Sequence, residues 1–305
     1  LSKVLTESNT THKSVPMLMS DITAYNFDSI YHQKGIITAF KEAGYQTAFF
    51  SNQRYNHSFI DFFGKEADTF DFIKEDSLDS AYNPSDDELL ALVAKELSKG
   101  NQKQFIVLHT YGSHFNYRER YPSEDAFFLP DYPVEAEVKY RDNLVNAYDN
   151  TIRYTDSFLS RLIQMLEEQH VDAAMLYTSD HGEDIFDDSR HLFLHASPVP
   201  SYYQLHVPFL IWMSDTYREA YPEHWQTVTK NKDKDLSSSR SFFPTMLELG
   251  GVQTSYRNDS SSVVSPLYTM KPRVYLNDHN EPRPLDDLGM KQPDFQKCQV
   301  LGIRY

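Results

Sequence analysis

The chain predicts an α/β fold with a mostly parallel central sheet and helices on both faces. Two observations carry this. Short apolar runs of strand length alternate with helical stretches along most of the 305 residues. No internal repeat, low-complexity tract or linker interrupts that alternation, so residues 1–305 are expected to form one domain.

Taken in order, "GIITAFKEAG" (35–44) predicts a helix and "QTAFFS" (46–51) a strand. "DDELLALVAKELSKG" (86–100) predicts a helix with a glycine stop, and "QFIVLHT" (104–110) a second strand. The aromatic, proline-rich stretch 111–133 is a loop. Val145, Tyr148, Ile152, Leu159, Leu162, Ile163 and Leu166 recur at helical spacing and predict a long helix over 139–168. "AAMLYTS" (173–179) and "VPFLIWM" (207–213) read as strands. "SRSFFPTMLELGG" (239–251) reads as a helix with an internal proline, and "RVYLN" (273–277) as a late strand.

Composition excludes several classes. Forty-four acids against 29 bases give a net charge of −15, and no basic face suggests a nucleic-acid partner. No run approaches the length of a membrane span, and mean hydropathy is −0.58. Cys298 is the single cysteine, so no internal disulfide forms. The chain opens on Leu1 without a signal segment and is expected to be part of something longer.

In parallel sheets, ligands collect at the carboxyl ends of strands. There "LYTSDHGED" (176–184) places Asp180 and His181, followed at once by Gly182. A carboxylate and an imidazole are good zinc ligands. The alternative is Asp180 capping a helix with His181 merely exposed. "QFIVLHTYGSH" adds His109 and His114, and "HLFLHASP" adds His191 and His195. Among 12 histidines some reach strand ends by chance, but several on one edge favour a site. "ESNTTHKSVPMLMS" (7–20) clusters hydroxyls ahead of Ser14-Val15-Pro16, which reads as a helix start. It is either a capping loop or a nucleophile facing the positive end of a helix.

Together these stretches resemble the catalytic domain of the phosphoethanolamine transferases, in the alkaline phosphatase/sulfatase superfamily, a group that includes the lipid A-modifying enzymes of colistin resistance. "NTTHKSVPMLMS" is similar to the nucleophile block. "LHTYGSH" is similar to a strand ending in His-x-x-Gly-x-His. "NAYDNTIRYTDSFL" and "YTSDHGE" with the later "LHASP" are similar to two further blocks. A Tyr-Asn-Pro turn before "DDELL" is a weaker fifth. The likeness covers about residues 6–250. It implies an alkaline-phosphatase/sulfatase-like fold and a nucleophilic threonine five residues before Pro16, which is Thr11 rather than Thr10. It also implies Asp180 and His181 as ligands of a tightly bound Zn²⁺ beside the Thr11 oxygen. His114 and His195 match a pair that holds a second metal or phosphate, His195 doubling as proton carrier. His109 matches a substrate-side histidine, and His57 falls where relatives place a lysine.

The reaction so implied moves phosphoethanolamine from phosphatidylethanolamine to lipid A or a lipopolysaccharide core sugar through a phosphothreonine. The implied setting is a monomer anchored in the inner membrane of a Gram-negative bacterium, with this domain in the periplasm. Relatives carry membrane helices and a zinc-ligating glutamate on a strand before the nucleophile, both expected upstream of Leu1, because Glu7 lies too close to Thr11 to be that ligand. The competing readings are a phosphoglycerol transferase and a non-catalytic glycolipid-binding domain. A sulfatase needs Cys/Ser-x-Pro-x-Arg, which "TTHKSVP" does not provide.

Overall fold

The computed structural model describes residues 1–55, 57–74, 83–100 and 103–305. Tyr82, in the Tyr-Asn-Pro turn, lies outside them. The strands in chain order are β1 (Val4–Leu5), β2 (Gln46–Ser51), β3 (Thr69–Phe72), β4 (Gln104–His109), β5 (Ala174–Thr178), β6 (Asp184–Ile185), β7 (Phe193–Leu194), β8 (Phe209–Met213), β9 (Leu236–Ser237), β10 (Val274–Leu276) and β11 (Pro282–Pro284). The helices are α1 (Thr11–Met19), α2 (Ile36–Glu42), α3 (Phe59–Gly64), α4 (Glu88–Leu97), α5 (Arg141–Glu167), α6 (Tyr202–Leu205), α7 (Asp215–Ala220), α8 (Pro222–Asn231), α9 (Ser238–Leu249) and α10 (Gln292–Val300). The fold is α/β. The chain divides into two compact units, one of Leu1–Gly44, His170–Asp184 and His195–Tyr305, the other of Tyr45–Gln169 and Ile185–Leu194.

The second unit holds a parallel sheet in the order β3-β2-β4. Its register puts Phe72 and His109 level with Ser51, so three strands end together. Helices α3 and α4 lie against it. Gly64 closes α3 because a Cβ there would come within 2.7 Å of the Phe49 ring. Tyr117, Val134, Leu144, Ala147, Ile185 and Phe186 form a core along α5.

That long helix is where predicted, but its buried stripe is Leu144, Ala147, Asn150, Thr151, Tyr154, Phe158 and Leu162. Of the apolar residues that announced the helix, Leu162 is buried and Ile152 is 47% exposed. The inward face sits one residue away because two of its members are polar. Asn150 Oδ1 accepts from the Phe127 and Phe128 amides, both at 2.9 Å, and its Nδ2 donates to Phe128 O at 3.0 Å. Thr151 Oγ1 donates to Ser113 Oγ at 2.6 Å. Buried polar side chains of this kind persist because each is itself hydrogen-bonded, Asn150 to loop backbone and Thr151 to a loop hydroxyl.

In the first unit β1 pairs parallel with β9, and β5 pairs antiparallel with β8. The sheet is thus less uniformly parallel than the apolar runs suggest, since such runs carry no direction. Direction is set by the connection, and between β5 and β8 of this unit the only helix is the four-residue α6. Val4, Val207, Phe209, Met213, Leu236 and Val263 pack together in its core. Helix α1 begins at Thr11 rather than near Ser14, and Pro16 lies inside it. Ser14 Oγ donates to Ser8 O at 3.0 Å instead of capping. Helix α8 escapes sequence reading because it buries little more than Val228 and Asn231.

Asn150→Ala strips partners from two amides and a carbonyl, and is expected to lower stability by about 1–3 kcal/mol. Ile152→Ala, two residues away and half exposed, is expected to stay within about 0.5 kcal/mol. Urea denaturation of both variants checks the stripe; equal losses would place it wrongly.

Candidate active site

The first unit builds the candidate site from two segments. β1 runs into the turn that starts α1, where Thr10 is the extended N-cap (φ −136°) and Thr11 the first helical residue. β5 runs into Asp180 and His181. Thr11 Oγ1 lies 3.1 Å from His181 Nε2, and Asp180 Oδ2 lies 3.5 Å from the same nitrogen. His181 Nδ1 is 3.0 Å from Gly182 O, and a carbonyl only accepts, so Nδ1 carries the proton. The Nε2 lone pair therefore faces the hydroxyl and the carboxylate, the tautomer that a metal-binding imidazole needs.

The donor set fits Zn²⁺. Hydroxyl, carboxylate and imidazole are all zinc ligands, and ligands about 2.0–2.1 Å from a tetrahedral zinc lie roughly 3.3–3.4 Å from one another. The observed 3.1 and 3.5 Å bracket that spacing. Among the described residues no three His, Cys, Asp or Glu side chains are grouped to hold a metal, so the hydroxyl of Thr11 is needed to complete this set.

His195 packs against His181, ring centroids 4.1 Å apart and planes tilted by 36°. Its Nδ1 lies 3.1 Å from Glu183 Oε1, which accepts the Nδ1 proton and leaves Nε2 to exchange protons. Glu183 is a residue that sequence reasoning missed, although it follows Asp-His-Gly directly.

Gly182 is demanded by contact. A Cβ there would sit 2.1 Å from the Tyr203 carbonyl oxygen of α6. The close approach lets Gly182 N donate to Gln204 O at 2.9 Å. Gln204 and Asn9 were also missed. Gln204, fully buried, donates through Nε2 to Asp184 Oδ2 at 2.6 Å and to Ser197 Oγ at 2.9 Å. Asn9 Nδ2 donates to Gln204 Oε1 at 2.6 Å and to Ser197 O at 3.0 Å. Tyr275 OH donates to Asn9 Oδ1 at 2.6 Å. The segments bearing Thr11, Asp180-His181 and His195 are thereby tied to one another. No single sequence signal marks these amides, whose partners lie 188–195 residues away.

The other histidines singled out belong to the second unit. His109 Nδ1 is 2.9 Å from Ser51 Oγ. His114 donates from Nδ1 to Phe115 O and packs edge-on against Tyr111. His57 has left-handed backbone (φ 61°) and packs against Tyr55. In the first unit Glu7 is buried and ion-paired with Arg240 at 2.7 Å, and it accepts from Ala24 N and Ser237 Oγ, both at 3.0 Å. Its carboxylate serves the packing of α9.

The sulfatase family model matches residues 1–252. The chain belongs to the sulfatase family. It is 29% identical over 262 residues to the phosphoethanolamine transferase EptA of Salmonella typhimurium, covering 83% of this chain and 47% of that protein. It is 36% identical over 159 residues to the Kdo(2)-lipid A phosphoethanolamine 7''-transferase of Escherichia coli K12, covering 50% of this chain and 27% of that protein. The zinc complex of the C-terminal periplasmic domain of Escherichia coli EptC shares the fold, with a TM-score of 0.84 at 22% identity over 95% of this chain and 82% of that one. The chain spans about half the length of the curated relatives it matches. Among the described residues no helix is long and apolar enough to cross a membrane.

Gly182→Ala is expected to drive the 180–184 loop off α6 and cost about 1–3 kcal/mol or more, read as a lower melting temperature. Ala at Gly251, where nothing lies within 4 Å but φ is +63°, is strained for a different reason and serves as comparison. Unchanged melting of Gly182→Ala would mean the loop is not held where described.

Proposed function

We propose that this chain is the catalytic part of a zinc-dependent phosphoethanolamine transferase. The observation that carries the reading is the convergence of Thr11 Oγ1 and Asp180 Oδ2 on His181 Nε2 at 3.1 and 3.5 Å. The names of the relatives, and the zinc complex of a protein with the same fold, support it.

In this reading Thr11, Asp180 and His181 hold one Zn²⁺, with His195 a candidate for a second ion or a phosphate oxygen. Bound zinc supplies a lowered hydroxyl pKa and charge to offset the phosphoryl oxygens. Thr11 Oγ1 forms the bond to phosphorus as the bond to the glycerol oxygen of phosphatidylethanolamine breaks. His195 Nε2 takes the proton that Thr11 gives up and passes it to the departing glycerol oxygen. In the second step it takes the proton of the acceptor hydroxyl and returns it to Thr11 Oγ1 as the acceptor oxygen displaces it from phosphorus. The first amides of α1 face the same end of the helix as Thr11 and favour developing negative charge there. His109, His114 and His57 are assigned to the substrate. The acceptor is lipid A or a lipopolysaccharide core sugar, and the chain works at the outer face of the inner membrane, in the periplasm.

Thr11→Ala is expected to abolish transfer and the covalent adduct, with melting shifted little. Thr10→Ala, whose Oγ1 lies 3.2 Å from Ser8 Oγ instead, is expected to keep activity within a few fold. Intact-mass measurement after exposure to phosphatidylethanolamine reads the adduct. A glycerol-bearing adduct assigns a phosphoglycerol transferase, and equal loss in both variants sinks Thr11 as nucleophile. Asp180→Asn and His181→Ala are expected to lose zinc by elemental analysis; full retention in both would remove the proposed ligand set.

A further inference from the structure

The hairpin of β10 and β11 lies beyond the residues of the family match, yet it holds the segment that carries Thr11. Three consecutive residues do so. Tyr275 OH donates to Asn9 Oδ1 at 2.6 Å, Leu276 N donates to Glu7 O at 2.7 Å, and Asn277 O accepts from Lys13 Nζ at 2.7 Å. The contacts fall at Glu7, Asn9 and Lys13, on both sides of Thr11. The hairpin is itself closed firmly. Asn277 N donates to Glu281 O at 3.1 Å, and Asn277 Oδ1 accepts from the amides of His279 and Glu281, both at 2.9 Å. The carbonyl offered to Lys13 is thereby fixed in direction.

Helix α1 needs such a hold from outside. Its N-cap Thr10 makes no side-chain cap bond, and no acid stands in its first turn. The third residue is instead Lys13, whose ammonium opposes the helix dipole. Lys13 is 7% exposed, so water does little for that charge. The Asn277 carbonyl satisfies it, and the neighbouring Asp278 carboxylate favours it. Tyr275, 2% exposed, likewise gives its hydroxyl proton to Asn9 rather than to water. Removing either group strips a partner from the segment around Thr11, and the turn loosens.

We propose that this hairpin is a clamp on the nucleophile turn, with Lys13 and Tyr275 as positioning residues that set where Thr11 Oγ1 stands. The hold on the turn is independent of the chemistry; that it serves a reaction rests on the transfer proposed above.

The test compares Lys13→Met, which keeps the aliphatic stem, and Tyr275→Phe, which removes one hydroxyl, with Arg283→Ala on the exposed side of β11. Amide hydrogen exchange of the full chain reads the turn without any reaction. The backbone amides at positions 13 and 14 donate to Thr10 O at 3.1 and 2.9 Å. They are expected to exchange at least about fivefold faster in Lys13→Met and Tyr275→Phe, with the amides of α8 unchanged. In Arg283→Ala neither region is expected to change. The maximal rate of adduct formation on Thr11 from phosphatidylethanolamine is expected to fall at least about tenfold in the first two variants, while the half-saturating donor concentration moves less than about threefold, the pattern of lost positioning rather than lost binding. Unchanged exchange at 13 and 14 in both variants, an equal rise in α8, or an effect as large in Arg283→Ala removes the clamp. Faster exchange at the turn with an unchanged maximal rate removes the positioning role. If the unaltered chain forms no adduct, the transfer reading falls, and the exchange measurement decides the clamp without it.

Discussion

The hydrogen bond from Asn9 Nδ2 to Gln204 Oε1, 2.6 Å long and buried, is the constraint on which the candidate site rests. A buried amide without a partner costs a few kcal/mol, so each of these two carboxamides holds the other at a fixed place. Asn9 lies two residues before Thr11, and Gln204 sits on α6 against Gly182. Thr11 thus reaches His181 because two backbone segments far apart in sequence are pinned to the same pair of side chains. The helix start, the Asp-His-Gly loop and the loop of His195 share this anchor, through Ser197 and Asp184. The proposed nucleophile would need positioning to roughly half an ångström, and rigid second contacts of this sort supply it.

The electrostatics of the site follow from that placement. Gly182 O and Glu183 Oε1 each accept a hydrogen bond from the Nδ1–H of a histidine, and so leave both Nε2 atoms with a lone pair. One faces a hydroxyl and a carboxylate, while the other is the proposed proton carrier. Two chemically identical rings, 4.1 Å apart and tilted by 36°, are distinguished by what surrounds their Nε2 atoms.

The second unit uses the same device for another purpose. Asn150 and Thr151 are the polar members of the buried face of α5; Asn150 holds loop backbone and Thr151 the Ser113 hydroxyl, rather than apolar partners. Asp86 does likewise for the turn after β4, accepting from the amides of Tyr111 at 2.8 Å and Gly112 at 2.9 Å. Tyr111 can present its ring to Lys74 and Arg120 because its backbone is fixed in this way. Overall acidity and local cations coexist, since net charge describes the whole surface and the local potential is set by the few charges within a Debye length.

The sequence by itself determined the α/β class, the places of the main strands and of α4, α5 and α9, and the identity of Thr11, Asp180, His181 and His195 as residues of interest. It could do so because apolar periodicity and short motifs are local: a strand-length run or an Asp-His-Gly triplet needs no distant partner to be read. Tertiary structure decided the direction of β8 against β5, the true start of α1 and the one-residue rotation of the buried face of α5. It also brought Thr11 within 3.1 Å of His181, across 170 residues of chain. Asn9, Gln204 and Glu183 escaped for one physical reason. Their roles come from hydrogen bonds and charges contributed by residues that only folding brings near, and a polar side chain in a sequence looks the same whether water or another amide will satisfy it.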